Sequence, residues 1–560
     1  MGFPADATLP EGFTPDAVVV GSGATGGVAA MVLAERGLKV LVLEAGPELS
    51  VRQALGWEPL NSLRRMVNLS SGKHARQLHH PGYWKQNPEL FADERANPYT
   101  TPADAPFLWS RGRQVGGKSL SWGGITLRLS DYEFKAAERD GHGPSWPIAH
   151  DDLAPYYGRL ERLLGVHGGR DGLEQLPDGQ LQSPLPFTPG ERLLQRSLAR
   201  ELGLPLIHSR GFRLHRGPGW PRSSSCGVTL ARALATGRVL LRSETVVSHV
   251  ELNASGDRVE ALVVVDGRSK MQQRLTAPLV VLCASTIESL RILLNSSENQ
   301  RSGGLIDPSG CLGRYLMDHI STARFFSLPD VPAAGASELS GAGSCFIPNT
   351  LHLGDEGGRG SQPDGPVDFQ RGYGIWTALQ RFDPPQLLQR RRGEAVGFLI
   401  AHGEVLPQAS NTLSLAAGQV DAWGLPVPHI SMRWGDNERR MVAHMHRRMQ
   451  AVVAAAGGCI RPIEDLFVLP LLEPWLKTSL AVSPDAPPPG YYIHELGGAR
   501  MAAAADQGVV NPFNQCWQAP NLLVVDGACW PSAGWQSPTL TEMAITWRAC
   551  EAAAERQRLG

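Results

Sequence analysis

The sequence predicts an α/β fold, α+β overall, built around a Rossmann-like dinucleotide-binding domain. Two short apolar runs, residues 17–20 and 40–43, predict buried strands, and a segment with helical periodicity between them ends at Gly37. Three glycines in the spacing G-x-G-x-x-G join the first strand to this helix, and Glu44 follows the second strand. This order of strand, glycine turn, helix, strand and acid predicts a βαβ unit that binds a dinucleotide.

The glycines and the acid each have a role in the predicted phosphate site. Gly21 allows the tight turn, Gly23 lets the backbone approach a pyrophosphate, and Gly26 lets the helix pack closely on the strand. The phosphates are expected at the N-terminus of the helix, where free N–H groups and the helix dipole favour negative charge. Glu44 is expected to accept a hydrogen bond from the adenosine ribose.

Composition and charge argue against several classes of function. The chain has 560 residues, enough for two or more domains, and a formal net charge of −1 without an extended basic block, so nucleic acid is not expected as a partner. No apolar run predicts a membrane span, and the first residues lack the pattern of a signal peptide. The eight cysteines are scattered without a C-x-x-C pair. We therefore expect no disulfide framework, no metal site and a cytoplasmic location.

The other strand and helix signals are spread along the chain. Alternating apolar residues predict strands over 238–250 and 259–265, and an apolar run predicts a buried strand over 279–283 that leads into a helix. Residues 521–526 predict a strand ending in an acid, and residues 538–553 predict a helix. The cofactor domain is therefore predicted to be discontinuous, with the substrate domain inserted between its pieces. The predicted ranges are 1–50, 105–150, 226–330 and 481–560 for the cofactor-binding domain, and 51–104, 151–225 and 331–480 for the substrate-binding domain.

Four further segments carry a family resemblance. They are RQVGGKSLSWGG at 113–124, ASTIESLRILLN at 284–295 with GCLGRYLMDH at 310–319, HELGGARM at 494–501, and NLLVVDGACWPSAGWQSPTLT at 521–541. With the N-terminal unit, they resemble the glucose–methanol–choline (GMC) family of FAD oxidoreductases in order and spacing over nearly the whole chain. The form of the motifs is nearer the branch of pyranose oxidase and the bacterial gluconate dehydrogenase large subunits. The resemblance implies FAD as cofactor and a substrate domain built on an antiparallel sheet flanked by helices.

The glycine-rich segment is expected to lie against the flavin. Gly116 and Gly117 admit the close approach of backbone to the isoalloxazine ring, which a side chain would prevent. Some relatives bond FAD covalently through a histidine in this segment, and Ser121 stands at that position. We therefore expect non-covalent FAD.

The C-terminal segment supplies the remaining expected contacts. By resemblance, Asp526 and Gly527 approach the FAD pyrophosphate or ribityl chain, and the helix that begins near Pro538 directs its positive end toward the flavin pyrimidine. The full set of residues expected to bind FAD is Gly21, Gly23, Ala24, Gly26, Glu44, Ala45, Arg113, Gly116, Gly117, Ser121, Trp122, Gly123, Gly124, Val247, Ala284, Asp526, Gly527, Pro538 and Thr539.

His494 matches the catalytic histidine of the family. A histidine with a pKa near neutrality suits removal of a hydroxyl proton as hydride leaves the carbon for flavin N5. The family places a second His or Asn about forty residues later, where this chain has Ser537, or Gln536 if the register shifts by one. Serine can donate or accept a hydrogen bond but is shorter than either family residue.

These features lead to one main hypothesis and two alternatives. The main hypothesis is an FAD-dependent oxidoreductase that oxidises a CH–OH group of a sugar, cyclitol, other polyol or alcohol, with His494 as the base. Its electron acceptor is left open between oxygen, a quinone and a partner protein. Ser537 keeps open a second reading, a GMC-fold flavoprotein with lyase or decarboxylase chemistry. The third reading is a non-enzymatic FAD-bound scaffold.

Overall fold

The computed structural model describes residues 12–298, 304–333, 337–351, 367–381, 389–391, 393–467 and 486–559. The strands are β1 Ala17–Val20, β2 Val40–Leu43, β3 Ile207–His208, β4 Val239–Arg242, β5 Thr245–Leu252, β6 Val259–Asp266, β7 Gln272–Thr276, β8 Leu279–Leu282, β9 Ile320–Pro332, β10 Cys345–Ile347, β11 Tyr373–Leu379, β12 Glu394–Gly403, β13 Thr412–Val420, β14 Pro426–Ser431, β15 Cys459–Arg461 and β16 Leu522–Val524. The α-helices are α1 Ala24–Glu35, α2 Val51–Leu55, α3 Glu58–Ser71, α4 Pro81–Lys85, α5 Asp131–Phe134, α6 Ala136–Asp140, α7 His150–Leu164, α8 Pro189–Glu201, α9 Thr229–Ala235, α10 Thr286–Glu298, α11 Asp436–Ala455, α12 Ile463–Leu466 and α13 Thr539–Leu559.

A five-stranded parallel sheet in the order β16-β8-β1-β2-β4 forms one core of the molecule. β1 reads Ala-Val-Val-Val and is buried throughout, as expected for a central parallel strand covered on both faces. Val18 pairs with Leu41 on one side and with Val280 on the other, so β1 separates β2 from β8. Because the strands are parallel, the segments that follow β1, β2, β8 and β16 meet at one edge of the sheet.

Helix α1 is enclosed between this sheet and two other helices, α9 and α13. A Cβ atom at Gly26 would lie 2.0 Å from the carbonyl oxygen of Gly21, so the close packing of α1 requires glycine there. The helix ends at Glu35, and Gly37 follows with φ +93°. The βαβ unit predicted from the sequence is confirmed, including the glycine stop.

A second sheet is antiparallel, with six strands in the order β15-β9-β12-β11-β10-β3. The long strands β9 and β12 pair so that Ile320 opposes Gly403 and Ser321 opposes His402. Helices α8 and α11 pack on this sheet. The predicted antiparallel sheet flanked by helices is therefore confirmed, and the start of β9 brings His319 beside the end of β12.

Smaller elements complete the fold. The strands β5, β6 and β7 form an antiparallel meander, and β13 pairs with β14. Among the described residues, no helix has the length and apolar character needed to cross a membrane. The division into a cofactor domain and a substrate domain at the sequence boundaries given above stays a prediction.

Candidate active site

A cavity opens at the carboxyl edge of the parallel sheet, where β1 separates β2 from β8. Ligands of open α/β sheets bind at such a point, outside the carboxyl ends of the strands. The cavity encloses about 1210 Å³, including space open to solvent. Twelve of the residues expected to bind FAD line it: Gly21, Gly23, Ala24, Glu44, Ala45, Arg113, Gly117, Trp122, Val247, Ala284, Asp526 and Thr539.

Backbone rather than side chains forms the floor of this cavity. Gly21 has φ +99°, and a Cβ atom there would lie 2.3 Å from the carbonyl oxygen of Cys283. Gly117 has φ +52°, and its Cβ would lie 3.3 Å from Cα of Gly23. The glycine-rich segment therefore crosses directly over the glycine turn, as the close approach of a ligand to backbone demands.

Glu44 is held at the end of β2 by three hydrogen bonds. Its carboxylate accepts from the amide of Ser22 at 3.1 Å, from the Ser22 hydroxyl at 2.6 Å and from the amide of Gly46 at 2.9 Å. Burial raises the pKa of Glu44, and the hydrogen bonds from Ser22 and Gly46 act against this rise. Ser22 also accepts from the amide of Gly116 at 3.0 Å, which ties the glycine turn to the glycine-rich segment. Sequence reasoning missed Ser22, although it lies inside the G-x-G-x-x-G spacing.

Two arginines, Arg111 buried and Arg113 partly exposed, give the cavity positive charge. The guanidinium of Arg111 lies 3.6 Å from the ring centroid of Trp109, and that of Arg113 lies 4.2 Å from the ring of Trp423. Burial lowers the pKa of Arg111 to about 10 and also lowers that of Arg113. Neither Nη1 of Arg111 nor Nη2 of Arg113 has a hydrogen-bond partner among the described residues. Buried donors without partners fit an anionic ligand such as the pyrophosphate of FAD.

Lys118, Asp526 and Glu542 also line the cavity. Lys118 Nζ lies 2.8 Å from Oε2 of Glu495, which is buried. Asp526 accepts from the Ser289 hydroxyl at 2.5 Å, and burial raises its pKa to about 6. Burial and the neighbouring Asp526 raise the pKa of Glu542 to about 8. Sequence reasoning missed Lys118, Glu495 and Glu542, because none of them forms a recognisable spacing of its own.

His494 lies next to this cavity rather than among its lining residues. Its backbone amide donates to Oδ1 of Asp318 at 2.9 Å, and the amide of Gly490 donates to Oδ2 of the same carboxylate at 2.8 Å. The preceding residue, Ile493, has φ +63°, a conformation that costs a β-branched residue about 1–3 kcal/mol. The next residue, Glu495, pairs with Lys118 of the cavity. The main chain at His494 is thus held in one strained conformation by buried contacts.

The imidazole of His494 is connected to the loop before α13. His494 Nδ1 lies 2.9 Å from His319 Nδ1, and His319 Nε2 lies 2.5 Å from the carbonyl oxygen of Gly534. That loop carries both candidates for the second catalytic residue. Gln536 is fully buried, with its side-chain oxygen near Gly534 and Glu133, whereas Ser537 is 9% exposed.

Aromatic rings surround the histidine pair. The rings of His402 and Tyr492 stack at 4.9 Å, and Tyr492 meets His494 edge to face at the same distance. The ring centroid of a further aromatic residue, Trp535, lies 6.3 Å from that of His402. Rings of this kind present flat apolar surfaces, which suit the carbon skeleton of a polyol or alcohol.

The other expected FAD contacts do not line the cavity. Gly26 packs α1 on the sheet, and a Cβ atom on Gly116 would lie 2.8 Å from the sulfur of Cys226. Gly527 is enclosed by Thr286 and the Glu495 carbonyl. The remaining residues of this group are Ser121, Gly123, Gly124 and Pro538.

Comparisons with known proteins bear on the chemistry of this site. A family model described as GMC oxidoreductase matches residues 407–546, and one described as FAD binding domain matches residues 16–90. The fructose dehydrogenase large subunit of Gluconobacter japonicus is 24% identical, over 97% of this chain and 98% of the relative. The 2-methyl-1,2-propanediol dehydrogenase of Mycolicibacterium austroafricanum is 25% identical, over 95% and 94%. The paromamine 6'-oxidase of Streptomyces fradiae is 26% identical, over 96% and 91%.

Solved structures share the fold. Pyridoxine 4-oxidase from Mesorbium loti superposes with a TM-score of 0.61 at 18% identity, covering 96% of this chain and 99% of that one. A variant of formate oxidase from Aspergillus oryzae RIB40 gives 0.60 at 17% identity, covering 98% and 99%.

Proposed function

We infer the function from the family of the chain, which belongs to the glucose–methanol–choline family of FAD-dependent oxidoreductases. The chain is an FAD-dependent oxidoreductase that acts on CH–OH groups. We propose a sugar, cyclitol or other polyol as its substrate, because the relatives described above are named for fructose, 2-methyl-1,2-propanediol and paromamine. Those relatives are named dehydrogenases or oxidases, so the lyase or decarboxylase alternative receives no support.

The observation that carries the proposal is the convergence of the expected cofactor residues on one cavity. Arg111 and Arg113 offer buried N–H groups to the pyrophosphate, and Glu44 offers a carboxylate to the ribose. When bound there, FAD supplies the two-electron oxidant that accepts hydride from the carbinol carbon. We propose that its attachment is non-covalent, because Ser121 has no imidazole to form a bond. Acid precipitation is then expected to release the yellow colour into the supernatant, and a yellow pellet would contradict this.

We propose His494 as the base that takes the hydroxyl proton of the substrate. The expected pKa near neutrality is not what the structure gives: burial, with His319 and His402 next in importance, lowers the pKa of His494 well below the usual value. The imidazole is therefore neutral at neutral pH and has a lone pair for the proton, but it is a weaker base than an exposed histidine. Ser537 is proposed to hydrogen-bond the same hydroxyl. Gln536, which is fully buried beside Glu133, stays the alternative candidate for this role.

A flavin-reduction screen tests the proposed function. The purified yellow protein is mixed anaerobically with a panel of sugars, cyclitols, polyols and simple alcohols, and bleaching of the flavin absorbance is recorded. We expect bleaching by at least one polyol and none by carboxylic acids or amines. Repeating the positive reaction with oxygen, with a quinone and with a one-electron dye identifies the class of acceptor. Flavin that no alcohol bleaches would contradict the proposal.

A further inference from the structure

His319 lies between His494 and the backbone carbonyl of Gly534 and is hydrogen-bonded to both. The two Nδ1 atoms of the histidines lie 2.9 Å apart, and Nε2 of His319 lies 2.5 Å from the carbonyl oxygen of Gly534. His319 is 1% exposed, so water does not compete for these contacts. The three groups form a continuous hydrogen-bonded row.

The carbonyl at one end fixes the direction of every hydrogen bond in the row. A carbonyl oxygen can only accept, so Nε2 of His319 must carry a hydrogen. A neutral imidazole has one N–H, so Nδ1 of His319 presents a lone pair. Nδ1 of His494 must then be the donor, which leaves the lone pair of His494 on Nε2.

We propose that His319 is a positioning residue that sets the tautomer of His494 and so makes Nε2 the nitrogen that accepts the substrate proton. The inference rests on the proposed function, since it assigns His319 a part in the same proton transfer. In that step the O–H bond breaks, the proton moves to Nε2, and the electron pair of the O–H bond becomes part of the new C=O bond. The C–H bond of the carbon that bears this oxygen breaks as well, and FAD, when bound, would accept its electron pair and hydrogen as hydride.

The neighbouring groups support this protonation pattern. Burial lowers the pKa of His319 to about 4, so His319 is neutral at physiological pH. A doubly protonated His319 would have to donate to His494 and would force the opposite tautomer. The aromatic rings of His402 and Tyr492 face His319 at 5.9 Å each and bring no charge to it.

Asp318, the residue before His319, also contacts His494. Its carboxylate accepts a hydrogen bond from the backbone amide of His494, while His319 is hydrogen-bonded to the imidazole ring. Two consecutive residues before β9 therefore fix both the main chain and the imidazole of the proposed base. The arrangement follows the general logic of a base oriented by a third group, with the carbonyl of Gly534 in the terminal position.

The tautomer can be measured directly in the FAD-loaded protein. Histidine is labelled with ¹⁵N, and long-range ¹H–¹⁵N correlation spectra show which ring nitrogen carries the hydrogen. The signals of His494 are identified by their loss in His494→Ala. We expect a protonated Nδ1 and an unprotonated Nε2 at His494, and the reverse at His319. A hydrogen on Nε2 of His494 would overturn the proposal.

Two variants of similar shape separate positioning from packing. Asparagine at 319 can place an oxygen near the position of Nδ1 and accept from His494, whereas leucine cannot. For His319→Leu we expect the rate constant of anaerobic flavin reduction to fall by roughly 10- to 1,000-fold at unchanged substrate affinity, which is less than the loss of about 10²- to 10⁴-fold expected when the base itself is removed. For His319→Asn we expect most of the rate to return. His208→Leu, in β3 of the same sheet, is the matched control and keeps the parental rate.

The outcomes distinguish this inference from the proposed function. Equal rates for the Leu and Asn variants would overturn the positioning role even if His494→Ala slows the reaction. If no alcohol reduces the flavin of the parental protein, the proposed function fails, and the tautomer measurement alone decides the hydrogen-bond assignment.

Discussion

At Gly23, unlike at Gly21 and Gly26, the packing of the protein itself does not require a glycine. The φ of Gly23 is −68°, on the side of the Ramachandran plot that residues other than glycine adopt, and a Cβ atom there would have the carbonyl oxygen of Gly116, 4.0 Å away, as its nearest neighbour. Gly21 and Gly26 differ, because their Cβ atoms would lie 2.3 Å and 2.0 Å from backbone oxygens. The protein itself therefore demands glycine at 21 and 26, whereas at 23 we propose that it is the pyrophosphate of bound FAD that a side chain would obstruct.

We accordingly expect Gly23→Ala to weaken FAD binding without unfolding the protein. Alanine is a poorer N-cap than glycine, which destabilises the folded protein, but it also lowers the conformational entropy of the unfolded chain, which stabilises the folded protein. Because the two effects oppose each other, the change in unfolding free energy is expected to stay below about 1 kcal/mol. A methyl group forced against a bound ligand costs about 1–3 kcal/mol. Since 1.4 kcal/mol is a factor of ten, FAD affinity is expected to fall by roughly 10- to 100-fold.

The assay is the dissociation constant of FAD, measured from the flavin fluorescence that appears as the yellow protein is diluted. Denaturant unfolding of the FAD-free protein gives the stability of each variant. Gly26→Ala is the comparison, and we expect it to lose stability first and cofactor as a result. A Gly23→Ala protein with parental FAD affinity would refute the placement of the pyrophosphate over this turn.

Three further predictions follow from the charges and hydrogen bonds of the site. Because burial lowers the pKa of His494, the rate constant of flavin reduction is expected to stay constant as pH falls through 6.5 and to decline only at lower pH. A rate constant that falls to half its value near pH 6.5 in stopped-flow measurements would contradict this. Glu542, with a pKa raised to about 8, binds its proton more tightly in the folded state, so its contribution to stability is complete below pH 4.5 and is lost as pH rises through 8. Glu542→Gln is therefore expected to raise the melting temperature at pH 8.5 and to leave it nearly unchanged at pH 5. Lys118→Met leaves the buried Glu495 without its partner, which for a fully buried ion pair costs about 3–5 kcal/mol of unfolding free energy. We expect a smaller loss here, because Lys118 is 31% exposed. Adding Glu495→Gln is expected to recover part of the loss, as measured by denaturant unfolding.

The fold was predictable where local pattern and tertiary packing agree. The residues of β1 and β2 are buried on every side, so an uninterrupted apolar run sufficed to locate them. The last helix shows the limit, since it continues to Leu559 beyond the predicted end at 553. Its final turns are polar and carry no apolar period, and they are held by contacts of Glu551 and Arg558 with Arg36, more than five hundred residues away in sequence.

In the candidate site, too, some residues could be predicted from local sequence and others could not. Glycines at fixed spacing report a backbone that approaches a ligand, and the sequence alone predicted those at 21, 23 and 117. The partners that set the chemistry come from distant segments. His319 lies at the end of the quoted segment GCLGRYLMDH, 175 positions before His494, and only the folded chain shows that the two rings meet. Arg111 precedes the glycine-rich segment by two residues, and its unpaired buried donor is visible only in three dimensions.

The most direct test of the account is the rate of flavin bleaching under anaerobic conditions, measured with the best polyol of the screen for the parental protein and for His494→Ala. We expect the variant to hold FAD with parental affinity and to bleach roughly 10²- to 10⁴-fold more slowly, the usual contribution of a general base. A variant that bleaches at the parental rate would show that His494 takes no proton from the substrate.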